Sequence, residues 1–304
     1  MKILIAIPTY QRPELLKNLL EKLCDIELQP EIELKLIIID NSNLELNKKL
    51  VTQIKLPFKA DYIAHDKNGV VHSRNLALQM AKQYDALCFL DDDDYPQPDW
   101  LIKLLIEYKN SRADIILGMR KFFLADNSTS WYRHNIFQEV TKFSKPKIRK
   151  KYGLRVQKGG TGNILIGQRI LQADLIFDQR FNFIGSEDLD FFIRAEQQGF
   201  KISYALDSVV NCLIRAEETS KAGYRRRAKQ FGNSLSHLLA KHAKYHILIF
   251  FHLQNILAWF LTMLAFLFWP ILSTRKRAKI SFKYFKYLGS IGTLFNMKTN
   301  LYKR

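Results

Sequence analysis

Cysteine is scarce in this 304-residue chain: Cys24, Cys88 and Cys212 are the only three, and no pair has CxxC spacing. A disulfide scaffold and a cysteine zinc centre are therefore poor readings, and all three are expected to be buried, reduced thiols. With 13 glycines and 8 prolines, the composition is too ordinary for a fibrous or low-complexity protein. Neither GxGxxG nor GxxxxGK[ST] occurs, which argues against a nicotinamide site and a P-loop. The apolar start, Ile3 to Ile7, is too short for a signal peptide, and polar Thr9-Tyr10-Gln11-Arg12 stands where a cleavage site needs small residues. The bulk of the chain is thus expected in the cytosol.

Acid is also in deficit, 29 Asp and Glu against 47 Lys and Arg, for a net charge of +18. Such a surplus favours anionic lipid, nucleic acid or phosphorylated small molecules. It is concentrated in residues 142–158, 215–246 and 273–304, and the rest of the chain is mildly acidic. The basicity therefore belongs to one insertion and the C-terminal third, not to the candidate core.

What is present is a β/α alternation. Uncharged runs at Ile3–Ile7, Leu34–Ile39, Tyr62–Ala64 and Ala86–Leu90 suit strands buried on both faces. Segments of helical period separate them, such as Leu15, Leu16, Leu19, Leu20 and Leu23. One α/β domain with a mainly parallel, Rossmann-like sheet is predicted over 1–215. Within it, 119–160 reads as an irregular basic excursion before strands at Asn163–Ile166 and Ile202–Leu206 and a helix from Ser186 to Gln198.

Beyond the domain, 216–246 reads as a basic amphipathic helix with Tyr224, Phe231, Leu235, Leu238 and Leu239 on one face. It suits an anionic membrane surface or docking on the domain. Residues 247–272 carry no formal charge and would reach roughly 39 Å as a helix, enough to cross a bilayer. A polar stripe of His252, Asn255 and Thr262 and basic flanks leave three readings open: an in-plane or re-entrant element, a single span, or a buried helix. A basic tail, 273–304, follows.

Chemistry concentrates at strand ends. Asp91-Asp92-Asp93-Asp94 follows a buried strand, where four repelling carboxylates call for a cation, although a solvated acidic turn is the plainer reading. An EF-hand fails, since Pro96 and Ile102 stand where glycine and glutamate are required. Asp40 ends another strand and could accept from a nucleoside or cap a helix. Gly69 to Asn75 opens a helix with free amides and Arg74, a weak phosphate motif. Ser186-Glu187-Asp188 begins a further helix with Ser186 as its cap; these acids complement the helix dipole or provide a base.

Taken in order, Ile5 to Pro13, Ile39 to Ser42, Gly69 to Asn75, Leu90 to Asp94 and Glu187-Asp188 resemble the signatures of glycosyltransferase family 2, of the GT-A fold, over roughly residues 1–210. The resemblance implies an inverting enzyme that moves a sugar from a nucleotide-diphosphate donor, taken as a UDP-sugar, to a hydroxyl of a lipid-linked, polysaccharide or lipopolysaccharide acceptor. It implies that Pro8, Thr9, Tyr10, Arg12 and Asp40 hold the nucleoside and that Arg74 lies near the diphosphate. Asp91 to Asp93 would be the DxD element, with Asp92 toward the ribose and Asp93 as ligand of Mg²⁺ or Mn²⁺. Asp188 matches the general base, with Glu187 beside it, and Gly160 belongs to a glycine-rich segment near the acceptor. No histidine closely follows Asn211, where relatives often have one near the metal, so the resemblance leaves the third protein ligand unassigned. The expected place of action is the cytosolic face of the inner or plasma membrane, with no nucleic-acid partner. A nucleotidyltransferase on a related scaffold and a basic nucleic-acid-binding protein are the rivals.

Overall fold

The computed structural model describes residues 1–137, 147–151, 154–295 and 297. The chain opens with β1 (Lys2–Thr9), whose Ile3, Ile5 and Ile7 point to one side of a sheet and Leu4 and Ala6 to the other, all buried. Helix α1 (Pro13–Leu23) starts with proline in its first turn, where the missing amide costs nothing, and buries Leu16, Leu19, Leu20 and Leu23. Next come β2 (Glu33–Asp40), α2 (Glu45–Gln53), β3 (Lys59–Ala64), α3 (Val70–Met80) and β4 (Ala86–Phe89). After them stand a short β5 (Asp94–Pro96), α4 (Trp100–Ser111), β6 (Ile115–Leu124) and α5 (Ser130–Asn135). A hairpin of β7 (Lys147–Lys151) and β8 (Leu154–Lys158), then β9 (Ile164–Gly167), α6 (Glu187–Gln197) and β10 (Ile202–Ile214) complete the sheet domain.

Eight strands form one sheet in the order β3-β2-β1-β4-β9-β6-β10-β5. Strands β1 to β4 are parallel, as are β6 and β10, while β9 and β5 run against their neighbours. The parallel half matches the expectation from the apolar runs; the inserted antiparallel strands make the sheet mixed. Two apolar layers cover it. Leu16, Leu20, Trp100 and Leu104 pack on one face, and Val71, Ala77, Phe191 and Phe192 on the other. In-register pairing of Thr9 with Asp40 places the carboxyl ends of β1 and β2 side by side, and β4 ends beside them. In such sheets, that edge is where ligands bind.

Several expectations are corrected. Cys88 and Cys212 are buried, but Cys24 is exposed, because it follows the last buried turn of α1. The 119–160 excursion is more regular than its charge pattern implied: β6 continues to Leu124, α5 follows, and 147–158 contains a hairpin. The side chains of the 142–158 basic run lie outside the described residues.

Three long helices follow the sheet domain, after a single turn at Ala216–Thr219: α7 (Lys221–His242), α8 (Tyr245–Ala265) and α9 (Thr274–Gly292), so the described part of the predicted tail is largely helical. Helix α7 buries Leu238 and Leu239 and half-buries Tyr224 and Leu235, as its apolar spacing implied, but not all of that face. Phe231 is exposed, whereas Gly232, Asn233 and Ser236 are buried against α9, because glycine there lets the two backbones meet at Lys286. Its end is clamped to the domain: Lys241 bonds Asp178 at 2.7 Å and Asp190 at 2.5 Å, and His242 Nε2 lies 2.7 Å from Asp190. The C-terminal end of α7 is thus docked on the sheet domain.

Candidate functional site

A cavity of about 490 Å³ opens at the carboxyl edge of the sheet, lined in part by Pro8, Thr9, Tyr10, Arg12, Arg74 and Asp91 to Asp93. That size suits a small-molecule ligand. Most lining segments end or follow a strand or open a helix: Pro8 and Thr9 end β1 and 10–12 follow it, Gly69 and Val70 start α3, and 91–93 follow β4. A second cavity, about 550 Å³ and lined by α3 and 170–179, gathers a single carboxylate, Asp174.

The four aspartates after β4 have four different environments. Asp92 is buried, and its oxygens accept from Thr9 Oγ1 at 2.9 Å and Arg12 Nη1 at 2.8 Å. It is the joint that ties the end of β1 to the end of β4. Asp94 is fully buried, with both oxygens 2.9 Å from Arg120 Nη2. Burial lifts its pKa to about 6 against the pull of Arg120. Asp91 meets Arg74 at 3.1 Å and Arg120 at 3.5 Å. Asp93 has the loosest pairing, with Arg12 at 3.9 Å and Arg215 at 3.8 Å. Burial and then the neighbouring carboxylates Asp94, Asp92 and Asp91 push Asp93 up to about 8.

These facts bear on a metal. Carboxylate oxygens of Asp91, Asp93 and Asp94 all lie within 4.8 Å of one another. Counting Glu187 and Asp188, six carboxylates surround the guanidiniums of Arg12, Arg74, Arg120 and Arg215, the last of which also pairs with Glu217 and Glu218, so carboxylates outnumber cations here. A divalent cation fits that balance and the hard oxygen donors. Asp93 and Asp91 reach the cavity wall, while Asp94 lies behind them, occupied by Arg120.

Gly162 makes the cluster possible: a Cβ there would strike the Asp94 carboxylate and lie 2.7 Å from Asp91 Oδ2. Beneath it, Asn163 takes a hydrogen bond from Trp100 Nε1 at 2.8 Å and donates to the Met119 and Ser208 carbonyls at 2.9 and 3.1 Å, knitting α4, β6 and β10 together.

On the opposite side stands the start of α6. Glu187 pairs with Arg74 Nη1 at 2.5 Å, so buried Arg74 bridges α6 to Asp91. Asp188 Oδ1 accepts from Leu189 N at 2.8 Å. Its Oδ2 lies 3.5 Å from the Cβ position of Gly160, and Arg120 Nη1 lies 3.1 Å from that same position. Burial and then the Glu187 carboxylate raise Asp188 to about 7, a value suited to a base near neutral pH. Asp188 and Gly160 adjoin the cavity rather than line it. Ser186 is not the side-chain cap its position implied: it sits at φ 70° after Gly185 at φ 87°, and its side chain makes no cap bond.

Asp40 also departs from expectation. Fully buried, it accepts from Ser42 N, Leu44 N, Asn47 Nδ2 and Tyr62 OH at 2.8 to 3.1 Å, so its oxygens are saturated. It closes its own turn ahead of α2, whose N-cap is Leu44 with no side-chain cap bond, and its neighbour Asn41 lines the cavity. Arg120, Arg215 and Asn163 were missed; nothing local distinguishes an arginine within a strand or after one.

Residues 4–176 match the glycosyl transferase family 2 profile. The chain belongs to glycosyl transferase family 2. The succinoglycan biosynthesis protein ExoM of Rhizobium meliloti is 26% identical over 242 residues, 79% of this chain and 75% of that one. Among solved structures, the mannosyltransferase PcManGT of Pyrobaculum calidifontis with GDP-Man and Mn²⁺ aligns at a TM-score of 0.65 and 14% identity, covering 97% of this chain and 88% of that one. S. aureus TarS 1-349 with UDP-GlcNAc aligns at 0.54 and 17% identity, covering 86% and 72%. Against a longer TarS chain, this one spans 44% of the length. At such identities, these structures establish a shared GT-A-like fold for the family 2 catalytic domain.

Proposed function

We propose that this family 2 enzyme transfers a sugar, with inversion, from a nucleotide-diphosphate donor to a hydroxyl of a lipid-linked, polysaccharide or lipopolysaccharide acceptor at the cytosolic face of a membrane. One observation carries the reading: at the cavity on the sheet edge, Asp93 lies beside Arg12 and Arg215 and Asp91 beside Arg74, with Asp188 and Gly160 adjoining. The donors in the neighbouring structures, UDP-GlcNAc and GDP-Man, support a nucleotide-sugar. Our choice of a UDP-sugar rests on the motif resemblance, and the polysaccharide assignment on the ExoM likeness.

In this scheme, Pro8, Thr9, Tyr10 and Asn41 wall the nucleoside end of the cavity, and Arg12 and Arg215 supply positive charge for the diphosphate. Asp93, with Asp91, would hold Mg²⁺ or Mn²⁺, which when bound supplies Lewis acidity to the leaving diphosphate. Asp188 takes the proton of the acceptor hydroxyl as its oxygen bonds to the anomeric carbon and the sugar–phosphate bond breaks. A single displacement of this kind inverts the centre.

The test is product analysis with a panel of sugar nucleotides and Mg²⁺ or Mn²⁺. Release of a nucleoside diphosphate supports sugar transfer; release of pyrophosphate would make the protein a nucleotidyltransferase and refute the assignment.

A further inference from the structure

Within the three-helix layer, α8 is built inside out. Helix α8 buries its polar residues His252, Asn255 and Thr262, with Asn255 Nδ2 donating to Ser290 Oγ of α9 at 3.0 Å. Apart from Gln254, its exposed stripe is apolar: Phe250, Leu253, Leu257, Leu261 and Leu264, continuing to Leu267, which is 75% exposed. A helix docked on a protein core has the opposite arrangement. Within the most apolar stretch of Tyr245–Ile271, only 17% is buried.

The same packing decides between crossing a membrane and lying in it. Helix α9 runs antiparallel along α8, from Arg277 at the Pro270 carbonyl, through Tyr284 at 5.8 Å from Trp259, to Ser290 at Asn255. Its outer side exposes Lys276, Lys279 and Lys283. Were α8 to cross, α9 would take those lysines into hydrocarbon, which is strongly unfavourable. Nor can α9 separate easily, because its backbone meets that of α7 at Gly232 and Gly289, and α7 is clamped to Asp190.

At the end of the apolar stripe, a notch of about 220 Å³ is lined by Lys221, Arg225 and Arg277 with Trp131 and Trp269. Arg277 stacks over Trp269 at 5.8 Å and Arg225 over Phe285 at 5.5 Å. Arg225 and Trp269 also share a cavity with Met263 and Phe266, so the cations border the apolar face. Arginine beside tryptophan at an apolar boundary is the chemistry of a bilayer interface.

We propose that α8 lies in the plane of one leaflet of an anionic phospholipid membrane, its apolar stripe in the acyl region and the Lys221–Arg225–Arg277 notch at the lipid phosphates. This deepens the membrane placement proposed above. Its test reads lipid rather than turnover, so it fails or holds separately from sugar transfer.

The full chain is mixed with vesicles of phosphatidylcholine alone or with about one third phosphatidylglycerol. Binding is expected on the anionic vesicles. Leu257→Glu with Leu261→Glu, both at exposed positions, should lower partitioning at least about 30-fold with an unchanged circular dichroism spectrum. Lys221→Gln with Arg225→Gln should lower it about 20-fold on anionic vesicles only. Lys276→Cys is then placed in a Cys24→Ser background, where Cys88 and Cys212 are buried. An impermeant maleimide added outside intact vesicles should label it. Protection until detergent is added would show a span and overturn the proposal. So would absence of lipid binding together with a dimer that the two leucine substitutions dissociate.

Discussion

Asp188→Asn separates catalysis from binding and from folding. The amide keeps the size of the carboxylate and the oxygen that accepts from Leu189 N at 2.8 Å. Burial and Glu187 already push Asp188 up to about 7, so the fold tolerates a neutral group there, and stability should stay within about 1 kcal/mol of the parent. Because Asp188 adjoins the cavity without lining it, donor affinity should be retained. The rate should fall by about 10²–10⁴, the usual effect of losing a general base, or roughly 3–5.5 kcal/mol of barrier. In the parent, the base must be deprotonated, so the rate should rise with pH up to about 7 and level off above it, while the variant shows no such rise. Transfer of radiolabelled sugar across pH 5.5–9 and calorimetry with the donor measure both quantities. A variant that keeps more than about a tenth of the rate, or a parent profile flat through pH 7, refutes the assignment of Asp188 as base.

Asp93→Asn should abolish metal-dependent donor binding yet raise the melting temperature of the metal-free protein by a few degrees. The sign follows from its pKa of about 8: the folded state holds that proton more tightly than the unfolded one, so metal-free stability falls as pH rises toward 8, and the variant should lack this slope in scanning calorimetry. Gly162→Ala should cost activity at least about tenfold and about 1–3 kcal/mol of stability, because its Cβ strikes the Asp94 carboxylate; normal turnover would show that the Arg120–Asp94 pair can move without consequence. Asp190→Ala strips the fully buried acceptor shared by Lys241, His242 and Arg194 and should cost about 3 kcal/mol or more, read as earlier proteolysis of the α7–α9 layer. Asp190 is held below the ordinary carboxylate range by His242, Lys241 and Arg194, against the opposing effect of burial. The clamp is therefore complete above about pH 4 and is lost as pH falls through the lower folded value.

The β/α alternation was readable because strand burial is written residue by residue: Ile3 to Ile7, Leu36 to Ile39 and Ala86 to Phe89 are buried on both faces, and no polar side chain interrupts them. The acidic run after β4 was equally visible, since four adjacent carboxylates at a strand end stand out in any window. What could not be read was which of them is open. Asp92 and Asp40 carry the same side chain as Asp93, yet the first is taken up by Thr9 and Arg12 and the second by its own turn and Tyr62. The apolar spacing of α7 marked Leu238 and Leu239, which are buried, but not the rest of its contact face, because a helix that packs through glycine and serine does so with residues that hydrophobicity does not mark.

From its sequence alone, this chain determined a β/α domain, the strand ends at which acids gather and a C-terminal stretch apolar enough for lipid, because each depends on periodicity within a short window. The tertiary structure decided the pairing of Arg74 with Glu187, 113 residues away, of Arg120 with Asp94, 26 away, and the outward turn of the apolar stripe on α8. Those depend on which distant surfaces meet, and a buried charge or an amphipathic helix takes its role from whatever is packed against it.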